Sequence, residues 1–263
     1  MSDPAPGWVT GNLSLDIDGR SLSLEMTIPE GPVSPRTMLP AFRFLTEALV
    51  HVGVDVAQDD GLQITCQAGC GACCRQAVPI STIEAWELRD LVERMPEPKR
   101  TEVKARFAKA RETATAAGLW DVLLEPEHLD NKELEAKVVA YFGLGIACPF
   151  LENESCSIHP ERPISCREYL VSSPKERCAD LDAKGIMRIT LPAKASLPVG
   201  RLVPIPGRRA SWIPLIAALD WADSHAENAP HRPGPALLRE VVEGVLRQEV
   251  REPRKQDGPE PRG

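Results

Sequence analysis

The chain has 263 residues, 43% of them hydrophobic and 26% charged, so it can bury a core without covalent crosslinks. Lys and Arg number 31 against 38 Asp and Glu, a net charge of −7, and only 5% of residues are aromatic. That balance argues against a nucleic-acid binder, which needs basic surface and rings on which bases stack. The opening Met-Ser-Asp-Pro-Ala-Pro-Gly lacks a basic segment followed by an apolar run, and no apolar stretch is long enough to span a bilayer. The expectation is a cytoplasmic protein with no membrane partner.

The first element is a hairpin over residues 12–28. Leu13, Leu15 and Ile17 alternate with polar residues, Asp18-Gly19 turns, and Leu22, Leu24 and Met26 alternate again. A two-residue loop pairs Ile17 with Arg20, Leu15 with Leu22 and Leu13 with Leu24, placing one apolar face. Ser34 and Pro35 then open a helix carrying Phe42, Leu45, Leu49 and Val52, with Pro40 as an alternative start. Ser81-Thr-Ile-Glu84 is a capping box for a helix through Trp86, Leu88, Leu91 and Val92.

Pro98 opens a helix to about Ala117, stopped by Gly118. Its Lys99, Arg100, Lys104, Arg106, Lys109 and Arg111 read as a solvated face. Asp130 and Glu133 cap a helix through Tyr141, which Gly143 and Gly145 break. Residues 186–191 read as a strand, 192–209 as a loop, 211–227 and 235–250 as helices, and 251–263 as a disordered tail.

Eight cysteines punctuate this framework. Four fall in Cys66-x3-Cys70-x2-Cys73-Cys74, three in Cys148, Cys156 and Cys166, and Cys178 trails. In a reducing compartment such clustering reads as metal binding or redox chemistry rather than structural disulfides. Thiolates suit zinc, copper(I) and iron–sulfur clusters. Gly69 and Gly71 allow the tight turn that brings Cys66, Cys70 and Cys73 to one site. Neighbouring side chains diverge, which makes a shared ion awkward for Cys73 and Cys74. Arg162 and Arg167 flank Cys166, where guanidinium groups would lower thiol pKa values and offset negative charge; a surface ion pair with Glu161 or Glu168 is the alternative. His159, three residues after Cys156, is a possible nitrogen donor, although a plain loop residue is the simpler reading. No nucleotide-binding, metalloprotease or serine-hydrolase motif is present.

These residues resemble a known group. Cys66-x3-Cys70-x2-Cys73-Cys74, Cys148-Pro-Phe-Leu, Cys156-x-Ile-His and Arg162-Pro-x-x-Cys166-Arg-x-Tyr169 are similar to the bacterial YkgJ-type cysteine-cluster family of zinc- or iron-chelating domains. The likeness covers about residues 62–170, and His159 stands where relatives commonly carry tyrosine. It implies metal chelation and no assigned reaction. A related group, the flagellin lysine methylases, has a similar cysteine pattern and is associated with an iron–sulfur cluster, but nothing here marks a methyl-donor site.

The sequence thus predicts an α+β, mostly α protein: an N-terminal β-hairpin on a helical bundle whose cysteine-bearing loops converge on a metal site. It divides as 1–60 (hairpin and helix), 61–180 (cysteine cluster), 181–250 (strand and helices on the same core) and 251–263 (tail). The expected cofactor is an iron–sulfur cluster, 4Fe–4S favoured, or Zn2+. Cys66, Cys70, Cys73, Cys74, Cys148, Cys156, Cys166 and Cys178 are the candidate ligands, with Arg162 and Arg167 beside the cofactor. A structural zinc module and a thiol redox sensor are the competing readings. The sequence assigns neither a reaction nor a protein partner.

Overall fold

The computed structural model describes residues 7–179, 186–208 and 211–248, so the tail expected at 251–263 lies outside the described residues. Strands β1 (Trp8–Ile17) and β2 (Arg20–Pro29) form the hairpin in the register set by its turn, with Ile17 opposite Arg20, Leu15 opposite Leu22 and Leu13 opposite Leu24. Asp18 and Gly19 have φ of 55° and 74°, the left-handed pair that a two-residue turn between right-twisted strands requires. Leu15, Ile17, Leu24, Met26 and Ile28 are buried on one face. That face lies on helix α1 (Leu39–Asp59) and on the C-terminal helix α9 (Gly234–Leu246).

Both helix starts read at Ser34 and Pro40 are used. Ser34 Oγ accepts from the Arg36 N–H and caps a 3-10 turn, Pro35–Met38. The α-helix then begins at Leu39 with Pro40 in its first turn, where a missing N–H costs nothing. Helix α2 (Thr82–Glu93) carries the full capping box of Ser81 and Glu84, and α5 (Asn131–Gly143) that of Asp130 and Glu133. Between them run α3 (Lys99–Ala116) and the short α4 (Trp120–Leu124). A short pair, β5 (Leu151–Glu152) and β6 (Ser155–Cys156), and a one-turn helix α6 (Ile164–Arg167) hold the second cysteine group.

Two small sheets fasten distant chain segments together. Strand β3 (Pro32–Val33) pairs with β8 (Arg232–Pro233), and β4 (Pro79–Ser81) pairs with β7 (Trp212–Pro214). A contiguous core includes the hairpin, α1, α2, α3 and α9, with Met38, Phe42, Leu45, Leu88 and Leu237 fully buried.

The C-terminal third departs from expectation. The strand at 186–191 is reduced to one bridge, Val171 with Arg188, flanked by Ser172 N–H to Met187 O at 2.8 Å and Ile189 N–H to Leu170 O at 2.9 Å. Its partner segment is short, held between α6 and a 3-10 turn at Lys175–Ala179. The loop expected at 192–209 contains helix α7 (Ser196–Arg201), which buries Pro198 and Val199 against α9. The helix expected from 211 begins only at α8 (Ala218–Ser224), because Trp212–Pro214 is taken by β4 and Leu215–Ala217 forms a 3-10 turn.

Gly234 shows how closely α9 meets the hairpin. A Cβ there would stand 2.0 Å from the Pro29 carbonyl oxygen, a backbone atom that cannot swing aside. Gly234→Ala is expected to cost about 1–3 kcal/mol, the range for overpacking a tight interior, read as a lower urea midpoint at unchanged slope.

Candidate metal centre

The first cysteine loop leaves α1 through Gly61 and is stitched to the segment after α6. Thr65 N–H donates to Val171 O at 3.0 Å, and its hydroxyl to Ser173 O at 2.5 Å. Val171 N–H returns a bond to Cys66 Sγ at 3.4 Å. Gly69, at φ 82°, permits the reversal that closes the Gln67–Cys70 turn. A 3-10 turn, Ala72–Arg75, then carries Cys73 and Cys74 into β4.

The second group docks directly on the first. Cys148 N–H donates to Cys74 O at 2.7 Å. Leu151 pairs with Cys156 across β5–β6, and Ser157 N–H closes on Phe150 O at 2.9 Å. The turn between these strands places Asn153 and Glu154 at φ 48° and 57°. Glu154 accepts both guanidinium nitrogens of Arg75, at 3.0 and 2.7 Å, clamping one loop to the other. A Cβ on Gly71 would meet Glu154 Oε2 at 2.5 Å and Leu151 Cδ1 at 2.8 Å, so a larger residue there would make those two side chains shift.

Helix α3 contributes more than the solvated face expected of it. Lys99 and Arg106 both pair with Glu152, and Arg106 also donates to Pro149 O at 3.3 Å. Phe107 of α3 meets Phe150 edge to face, centroids 5.4 Å apart. Part of the basic face thus holds the second cysteine loop in place.

Five thiols, those of Cys73, Cys74, Cys148, Cys156 and Cys166, line one cavity of about 100 Å3 together with Phe150, Ile158, Leu215 and Arg162. Cys73 and Cys74, neighbours on the 3-10 turn, both line this cavity. The Cys74 thiol donates to Cys73, which lowers the Cys73 pKa and raises that of Cys74. Burial pushes Cys148 up to about 12 and Cys166 well above its ordinary value. Backbone N–H groups oppose this: Phe150 donates to Cys148, and Ile158 to Cys156.

Cys66, Cys70 and Cys178 do not line this cavity. Cys178 feels the charges of Cys66, Cys70 and Cys73. The Cys178 residue is buried, on a 3-10 turn packed against the Ala72–Arg75 turn. All eight cysteines are free thiols.

The two arginines part company. Arg162 lines the cavity, lowers the thiol pKa values of Cys66, Cys73, Cys156 and Cys166, and has a buried Nε without a hydrogen-bond partner among the described residues. Arg167 is buried and donates to the carbonyls of Arg162 at 2.9 Å, Pro160 at 2.6 Å and His159 at 3.3 Å, and pairs with Glu47. Its ion-pair partner is thus Glu47, rather than the Glu161 or Glu168 suggested by sequence proximity. Glu168 instead accepts the Ser196 N–H and hydroxyl, at 2.9 and 2.5 Å. His159 is exposed and lies outside the cavity lining.

One residue supports the site in a way its local pattern does not reveal. Glu84 Oε2 accepts the Ser81 N–H and hydroxyl, at 2.8 and 2.7 Å, while Oε1 accepts the Ile164 N–H at 2.8 Å and so anchors the helix bearing Cys166. The capping-box pattern revealed the first role but carries no sign of the second. Tyr141 is fully buried, its phenol pKa raised by burial and secondarily by Cys148.

The donor set fits a thiophilic metal: several sulfurs on an apolar cavity, backbone N–H groups directed at them, and a guanidinium alongside. Among the described residues, no three His, Cys, Asp or Glu side chains stand ready as a coordination sphere. Chemistry rather than a preformed cage therefore carries the fit.

A cavity walled by thiols from two loops far apart in sequence defines a cysteine-cluster chelating domain. Residues 65–184 match the model of the CxxCxxCC family, described as “Putative zinc- or iron-chelating domain”. The hairpin, α1 and the C-terminal helices lie outside the match. No curated protein and no solved structure matches the chain. No helix among the described residues is long and apolar enough to cross a membrane.

Proposed function

We propose that the cysteine cluster holds an iron–sulfur cluster, 4Fe–4S favoured, serving redox or an enzymatic reaction not yet identified. The observation that carries this reading is the surplus of sulfur. Five cysteines share one cavity and the charges of three more are felt among them, whereas one tetrahedral zinc ion takes four ligands. Arg162 supports it further, since a cluster with thiolate ligands is tuned by nearby charge and hydrogen bonds. When bound, such a cluster would supply one-electron redox capacity. The protein's own part is to bind it from two loops, shield it with Phe150, Ile158 and Leu215, and offset its charge through Arg162.

Structural zinc is the second reading. Cys73, Cys148, Cys156 and Cys166 would suffice for one ion, leaving Cys74 as the protonated donor to Cys73. One experiment separates the readings: purification without oxygen, a visible spectrum, and assays of iron, acid-labile sulfide and zinc. Brown protein with matching iron and sulfide is the expected result. Colourless protein with stoichiometric zinc overturns the cluster. Metal-free protein whose thiols interconvert reversibly would instead make it a thiol sensor.

A further inference from the structure

A second cavity, of about 490 Å3, lies behind the thiol cavity. The two share Ala77, Pro79 and Ser165 in their walls, so β4 and the turn before Cys166 separate them. The second cavity falls within the size range of small-molecule sites. Its body is apolar, formed by Ile80, Leu123, Leu134, Val138 and Trp212.

Its polar groups are few and of one character. Arg201, at the end of α7, is exposed and makes no ion pair among the described residues. Ser211 Oγ accepts the Ile205 N–H at 3.2 Å, which leaves its own proton to donate. Ser165 lines the same space. The one carboxylate in the lining, Glu84, has both oxygens engaged by Ser81 and Ile164. The groups left to meet a ligand are therefore a cation and hydroxyl donors beside an apolar chamber.

We propose that this cavity binds a small monocarboxylate with an apolar or aromatic body, its carboxylate held by Arg201 and Ser211 and its body against Val138 and Trp212. A planar guanidinium matches a carboxylate with two parallel hydrogen bonds. A single cation suits a singly charged ligand better than a phosphate. The site depends on no particular metal, so it stands apart from the cluster reading.

The test uses the full chain as purified, with 4-phenylbutyrate as the probe and 4-phenylbutanol as its uncharged counterpart, in isothermal titration calorimetry. The acid should bind at least tenfold more tightly than the alcohol. Arg201→Gln should bring the acid down to the alcohol's affinity, and Arg201→Lys should retain part of the difference. Val138→Trp, at a half-buried helical position, should fill the chamber and abolish binding of both while far-ultraviolet circular dichroism stays unchanged. Equal binding of acid and alcohol, no binding of the acid, or an Arg201→Gln variant that binds as the wild type does would each overturn the proposal. So would a folded Val138→Trp variant that still binds. Metal content measured on the same samples reports separately on the cluster.

Discussion

Cys73→Ser is expected to lose nearly all bound metal, below a tenth of the wild-type content, while Cys178→Ser keeps at least half. Cys73 is the sulfur that both groups share. Its charge acts on Cys66 and Cys178 and also on Cys148, Cys156 and Cys166, and it accepts the Cys74 thiol. Serine keeps the shape of the 3-10 turn and removes only the soft donor. Because the two loops meet around this sulfur, the metal's folding free energy goes with it. That energy is about 10–16 kcal/mol for structural zinc in small domains, and a chain with its own core will lose only part of it. Elemental analysis of anaerobically purified variants reads the first effect, and thermal melts with and without chelator read the second. Full metal content in Cys73→Ser would show that the two groups bind independently.

Local pattern and tertiary placement were not equally legible. The hairpin register follows from Asp18-Gly19 because the loop length fixes which residues face each other. The two capping boxes are likewise local, closing over four residues each. The grouping of the cysteines follows from spacing, and the family match over 65–184 agrees with it. What stayed hidden depends on partners distant in the chain. Glu152 draws Lys99 and Arg106 inward across the α3–β5 contact, and no periodicity in α3 announces that.

Arg167 looks like a thiolate counter-charge because it adjoins Cys166, and its charge does lower the Cys156 pKa, but all its hydrogen bonds to backbone turn back to the carbonyls at 159, 160 and 162. The segment at 212–214 has apolar residues a helix could use, but pairing with β4 takes them as a strand. The equal standing given to Cys66 and Cys156 in the sequence also dissolves. Cys156 lines the thiol cavity and Cys66 does not, a difference that depends on how the two distant loops dock, with the Cys148 N–H on Cys74 O.

Arg162 and Arg167 should fail in different ways, and the contrast tests the division of labour drawn for them. Arg167→Met removes the donor to three carbonyls in the turn that sets Cys166. Orphaned buried acceptors cost about 1–3 kcal/mol each, reduced where water reaches them, so a loss of roughly 3 kcal/mol is expected with or without metal. The ion pair with Glu47 adds little, because Glu47 is half exposed.

Arg162→Met leaves urea stability of the metal-free chain near wild type, since its Nε has no hydrogen bond to lose among the described residues. It should weaken metal retention about tenfold, the lower end of the effect of groups that support a ligand shell. The sign of its pH dependence follows from the thiols. Burial holds Cys148 and Cys166 in the protonated form, and metal binding must release those protons, so loading improves as pH rises. Without the Arg162 cation, which lowers the pKa of Cys66, Cys73, Cys156 and Cys166, the thiols hold their protons longer. The loading curve should therefore move to higher pH in Arg162→Met and stay in place in Arg162→Lys, whose charge is kept. Urea titrations at fixed pH and metal retention across a pH series separate the two variants. A shared phenotype, with both unstable or both loading normally, would rule out this assignment of one arginine to the turn and the other to the thiols.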